Sequence, residues 1–139
     1  MPAPATISAE ILTQGIKGDD IPKLEQWGEY LARGEQGNTN RPGTRKMTTS
    51  QVRKFFGEIK RIQADFDNCK NDVILLDPKI AYSVGRARKE SGRDRVAIED
   101  FYNLLKPMLR SIGEDRGKFK HFVQVCEAIV AYHRAKGGE

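Results

Sequence analysis

The residues of this chain best equipped for chemistry are cations, gathered on two short stretches. At 100° per residue and counting from Val52, Arg53, Lys54, Lys60 and Arg61 fall on an arc of about 80° to 200°. An apolar stripe of Val52, Phe55, Phe56, Ile59, Ile62 and Phe66 lies opposite. Lys offers a compact point charge, and Arg a planar fork that matches phosphate oxygens. Gly57 and Ala64, the smallest side chains of the stretch, sit in the middle of the cationic arc. A mid-helix Gly costs about 1 kcal/mol relative to Ala, and close approach of another backbone is one return for that cost. The free N–H groups near Thr49–Val52 could take one phosphate more. A plain solvated face would carry the same cations, and Gly57 could equally admit a neighbouring helix.

The second stretch repeats the pattern. Ile80, Val84 and Ala87 share one side, while Lys79, Tyr82, Arg86 and Lys89 share the other, with Arg88 at the flank. An aromatic ring among cations suits stacking on a base or contact with a sugar. Tyr82 packed in the core with its hydroxyl at the surface is the alternative. With Arg45 and Lys46 leading into the first stretch, residues 45–89 read as a cationic strip on two adjacent helices. The charge distribution agrees. The net charge is +5, yet residues 41–93 alone carry thirteen basic and six acidic side chains, a net of +7. A polyanion is the natural partner of such a region.

Catalytic groupings do not emerge. His121 and His133 lie on or beside an apolar stripe, as does Cys126, and such residues are usually structural. Cys69 and Cys126 match no disulfide framework or metal spacing. There is no phosphate-cradling glycine loop, CxxC pair or HxxxH pair. Glu99 and Asp100 open a helix, where the dipole alone favours carboxylates. No enzyme, metal or cofactor is expected. The start, MPAPATISAEILTQG, lacks the charge and apolar run of a signal peptide, and no stretch suits a bilayer. A cytoplasmic protein with reduced thiols is expected.

The elements that must position these cations follow from periodicity and caps. Residues 1–18, rich in Pro and Ala at the start, read as a loosely ordered arm. Residues 19–139 read as one helical domain with a flexible loop at 34–47, dense in Gly, Asn and Pro. Within it, DDIPKLEQWGEYLAR starts a helix with Pro22 in its first turn. Thr48 with Gln51 fits a capping box, opening a helix from about Thr49 to Asn68. Asp77-Pro78 opens another to about Glu90. A fourth spans about Val96–Ile112, with Pro107 expected to kink it, and a fifth about Asp115–Ala135. Apolar residues cover more than half the girth of that last helix, which suits the centre of a bundle or a partner surface. The run NDVILLD is too short to decide as a strand. The fold class expected is an all-α compact bundle of about five helices.

Three segments in order, TTSQVRKF, DPKIAYSVGR and FKHFVQVCEAIVAYHR, resemble the small subunit of the type III-A CRISPR effector, the Csm interference complex. Together they span residues 48–134. The resemblance implies a small five-helix protein without an active site. Such subunits stack against neighbouring copies of themselves, beside the repeated backbone subunits and the large subunit. They hold the guide RNA–target RNA duplex through its backbone without reading sequence, in antiviral defence. By position, Gln51, Arg53 and Lys54 match the first motif. Lys79, Tyr82, Gly85 and Arg86 match the second, and Glu127, Tyr132 and His133 the third.

Two other functions compete. A helical protein–protein adaptor without nucleic-acid contact would explain the wide apolar girth of the last helix. A helix-turn-helix DNA regulator fits less well, because about eight residues with an apolar run separate the second and third helices, where three or four are usual.

Overall fold

Residues 3–40 and 42–138 are described by a computed structural model. Among them are seven α-helices and no strand: α1 (Ile11–Gln14), α2 (Ile21–Arg33), α3 (Thr49–Ala64), α4 (Phe66–Cys69), α5 (Leu76–Ser91), α6 (Ala97–Ile112) and α7 (Arg116–Ala135). The five long helices follow the five apolar periodicities. Two helices of four residues each, α1 and α4, bring the count from the expected five to seven.

Local chemistry explains most boundaries. At the start of α3 the Thr48 hydroxyl accepts from the Gln51 N–H at 3.2 Å, and the Gln51 side chain accepts from the Thr48 N–H at 2.9 Å. Such a cap contributes about 1 kcal/mol. The Asp115 carboxylate accepts from the Lys118 N–H at 3.0 Å and starts α7 in the same manner. Asp65 leaves helical geometry, with φ −146° and ψ 59°, so α3 stops four residues before the expected Asn68. The break lets Phe66 turn inward, where its ring lies 5.2 Å from Phe119. Pro107 sits inside α6 on its exposed side, and the residue whose carbonyl it leaves without a helical donor, Asn103, is exposed as well. NDVILLD forms a 3₁₀ turn and the entry to α5, with Val73 and Leu76 buried and Ile74 and Leu75 exposed.

The core forms around α7. Phe119, Phe122, Val123, Val125, Cys126 and Ile129 are all buried, and α1 and α2 cover the side that α3 and α6 do not. The broad apolar girth is thus consumed inside the fold, which removes the main motive for the adaptor. Gly28 makes the α2–α7 contact possible, since a Cβ there would lie 2.3 Å from the Cβ of Tyr132. The arm is also engaged: Ile7, Ile11 and Leu12 are buried, and the Leu12 carbonyl meets Nδ1 of His121 at 2.6 Å.

The 34–47 loop is tied at both ends. Glu35 and Thr44 exchange backbone hydrogen bonds of 3.0 and 2.7 Å. The Arg45 N–H donates to Arg95 at 2.9 Å, and its carbonyl accepts from Ala97 at 2.8 Å. His133 donates from Nε2 to the Met47 carbonyl at 2.8 Å, which fixes the chain where it enters α3. No described helix is long and apolar enough to cross a membrane.

Candidate nucleic-acid interface

Helices α3 and α5 lie side by side and antiparallel. Nζ of Lys54 sits 5.9 Å from the centre of the Tyr82 ring, and one turn further along α3 Glu58 accepts from Lys79 at 3.0 Å. Ser50 and Gln51 line a shallow recess together with Lys54, Ser83, Arg86 and Ala87. Between the two helices and α6 runs a cleft of about 410 Å3. Its floor is apolar, with Phe55, Leu76, Ile80, Ile98 and Phe101, and Gln51, Lys54, Lys79 and Tyr82 stand at its rim. Tyr82 is 63% exposed, so it is no core residue; the ring projects from the α5 side of the groove.

The expected cations divide into three groups. Lys54, Lys79 and Arg86 share the groove with Tyr82. Arg53 and Lys89 are exposed on the same two helices, and no carboxylate pairs with them or with Lys54 among the described residues. The others point elsewhere. Lys60 reaches Glu127 of α7 at 3.3 Å. Arg88 pairs with Glu99 at the start of α6 and donates to the Asp94 carbonyl. Arg45 and Lys46 line a separate pocket beyond the N-terminus of α3, together with Arg33 and Arg93. Gln51 has its side-chain oxygen engaged in the cap of α3.

Carboxylates temper the groove. Glu58 binds Lys79 at 3.0 Å and Arg61 at 3.1 Å, and Arg61 also reaches Asp72 at 3.2 Å. The hydrogen bonds from Lys79 and Arg61 hold the Glu58 carboxyl below its ordinary 4.5, so it is charged at neutral pH. Arg86 is paired with Glu90 one turn along α5 at 2.8 Å. These pairs are exposed, and an exposed pair contributes little to stability. A phosphate oxygen can therefore replace a carboxylate oxygen as the partner of a guanidinium at small cost.

Gly57 and Gly85, one on each helix, are both exposed, and a Cβ at either would meet nothing within 4 Å. No neighbouring helix explains Gly57. The wheel located Gly57 and the second motif Gly85, but neither reached Arg33 and Arg93, which lie outside the two stretches. Their signal was the loop glycines that draw the ends of residues 33–46 together.

Comparison with known proteins agrees with the family resemblance. The family model described as Csm2 Type III-A matches residues 29–139, most of the chain. The CRISPR system Cms protein Csm2 of Streptococcus thermophilus is 29% identical over 104 residues, covering 70% of this chain and 78% of that protein. No solved structure matches. The helical fold, the three motifs and a match of this extent lead to one assignment: the chain belongs to the Csm2 Type III-A family, the small subunits of type III-A CRISPR systems.

Proposed function

We propose that this small subunit is a non-catalytic scaffold that holds the guide RNA–target RNA duplex of a cytoplasmic effector complex in antiviral defence, through the α3–α5 face and without reading sequence. The carrying observation is the shared groove of Lys54, Lys79, Tyr82 and Arg86, with Arg53 and Lys89 adding unpaired charge on the same two helices. Cations along a groove follow a sugar–phosphate backbone, and an exposed ring accepts a base or sugar of any sequence. The open space above Gly57 and Gly85 lets that backbone come within reach of the flanking cations. In the assembled particle, neighbouring copies, the repeated backbone subunits and the large subunit supply the remaining contacts. A single groove gives modest affinity, which an array multiplies.

Filter binding of guide RNA across a salt series tests this. Neutralising about four phosphates gives log K a slope of about −3 against log salt for single strands. The triple variant Arg53→Gln, Lys54→Gln, Lys89→Gln should flatten that slope. A wild-type response already independent of salt, with pull-down of the other subunits surviving nuclease, would favour the protein-only adaptor instead.

A further inference from the structure

A second basic site lies beyond the groove, in the pocket of about 410 Å3 lined by Arg33, Arg45, Lys46 and Arg93. Three separate segments supply these side chains: the end of α2, the start of the chain into α3, and the turn after α5. Glu35 is the one acidic residue lining it among the described residues, so its walls carry an excess of positive charge.

The backbone holds this convergence in place. A Cβ at Gly34 would lie 2.2 Å from the Thr44 carbonyl oxygen, and one at Gly43 would lie 2.4 Å from that of Glu35. Only glycine lets the two strands of the loop approach so closely. The paired bonds of Arg45 with Arg95 and Ala97 then bring the turn after α5 alongside. Backbone pairing thus brings four cation-bearing positions to one pocket; Arg33 and Arg93 are exposed there, and Arg33 also makes an exposed pair with Glu29 at 3.6 Å that a phosphate can replace.

Register links the pocket to the groove. Lys54 lies opposite Tyr82, and Ser50 and Gln51 lie opposite Arg86 and Ala87. Beyond the helix ends, Lys46 stands three residues before the start of α3, and Arg93 follows Gly92 just after α5 ends at Ser91. Both residues line the pocket. A strand running along the groove towards the N-terminus of α3 would meet it next.

We infer that this pocket is a phosphate-binding site, continuous with the groove, that receives a backbone phosphate of the bound RNA. Its assignment to RNA rests on the groove being an RNA track; its affinity for phosphate does not. Arg supplies the planar forks suited to phosphate oxygens, and the pocket offers three of them.

The test uses the full chain and two probes, inorganic pyrophosphate and single-stranded RNA. In the wild type, pyrophosphate should shift the amide signals of Arg33, Arg45, Lys46 and Arg93 in NMR titration. The double variant Arg33→Gln, Arg93→Gln should lose that response while its melting temperature stays within a few degrees. With RNA, the variant's salt slope should be shallower by about 0.7 for each phosphate released. Loss of the pyrophosphate response with an unchanged RNA slope would keep the phosphate site and assign its ligand to free phosphates. No pyrophosphate shift at these four residues, together with an RNA slope equal to that of the wild type, would overturn the site. A wild-type RNA response independent of salt, with the pyrophosphate response intact, would retire the RNA track and leave the pocket standing.

Discussion

Adding a methyl group to each of two glycines should make this protein more stable and worse at holding RNA. Gly57 and Gly85 lie within α3 and α5, are exposed, and would place a Cβ in open space. Gly to Ala inside an exposed helix gains about 0.8–1.0 kcal/mol. The two sites are on different helices and their new methyls touch no common neighbour, so about 2 kcal/mol is expected for the pair. For 139 residues at about 2.1 cal/mol/K each, the entropy of unfolding is about 0.29 kcal/mol/K, which turns 2 kcal/mol into a rise of about 7 °C. Urea denaturation should show a higher midpoint with an unchanged slope. RNA affinity should move the other way. A methyl holds a phosphate off by about 1.5 Å, one carbon–carbon bond. Moving a phosphate from about 4 to 5.5 Å from a cation loses about 0.28 kcal/mol in water, and four such contacts lose about 1.1 kcal/mol, or roughly sevenfold in affinity. Gly28→Ala is the internal control. Its Cβ would lie 2.3 Å from Tyr132, so overpacking of about 1–3 kcal/mol should outweigh the propensity gain and lower the melting point. A double variant that is more stable yet binds RNA as tightly as the wild type would show that the glycines serve no close approach, and a double variant that melts lower would refute the open-space reasoning itself.

Other substitutions probe the same geometry. Glu58 is one carboxylate answering two cations, so Glu58→Gln should release Lys79 and Arg61, steepen the salt slope by about 0.7 per phosphate gained, and tighten RNA binding in filter assays. Its folded carboxyl lies below 4.5, so it stabilises the wild type above that pH; any melting advantage over the Gln variant should shrink as the solution is acidified below it. Burial pushes the Cys126 thiol far up, whereas Cys69 is half-buried, so an alkylating reagent should modify one thiol per native chain and two after denaturation, as counted by mass spectrometry. The buried Tyr30 hydroxyl donates to Asp100 at 2.6 Å and joins α2 to α6; Tyr30→Phe should cost about 1.5–3 kcal/mol by urea denaturation, as expected for a hydrogen bond to a charged acceptor.

The long helices were legible because each combines a period with a cap. Thr48 and Gln51 announce α3, Asp115 announces α7, and the buried residues of both fall on the stripes read from spacing. What spacing could not give was anything whose partner is distant in the chain. A four-residue helix such as α1 has no period to detect, and Ile7, Ile11 and Leu12 are ordered by α7 more than a hundred residues away. The loop at 34–47 has the composition of a flexible linker, yet Gly34 and Gly43 let it pair with itself and with the turn after α5. For the basic face, a wheel tells which way Lys60 and Arg88 point from their own helices. It cannot tell that Glu127 and Glu99 wait there.

Those carboxylates bear on how such a groove would work. A strip in which every cation was unpaired would bind any polyanion, including cellular RNA unrelated to the particle. Here Glu58, Asp72 and Glu90 occupy Arg61, Lys79 and Arg86, leaving Arg53, Lys54 and Lys89 unpaired on the two helices. Each phosphate gained must displace a carboxylate or meet one of those three, which lowers the affinity of a lone subunit. Tethering in an assembled particle would restore it. If neighbouring subunits hold the RNA in line as proposed, the effective concentration of the next phosphates would be set by geometry instead of by diffusion, and weak sites would bind together. Partial neutralisation would thus favour RNA already held in the complex over RNA met in solution, without a single base being read. On this basis Glu58→Gln should raise the affinity of the isolated subunit for RNA by a larger factor than that of the assembled particle.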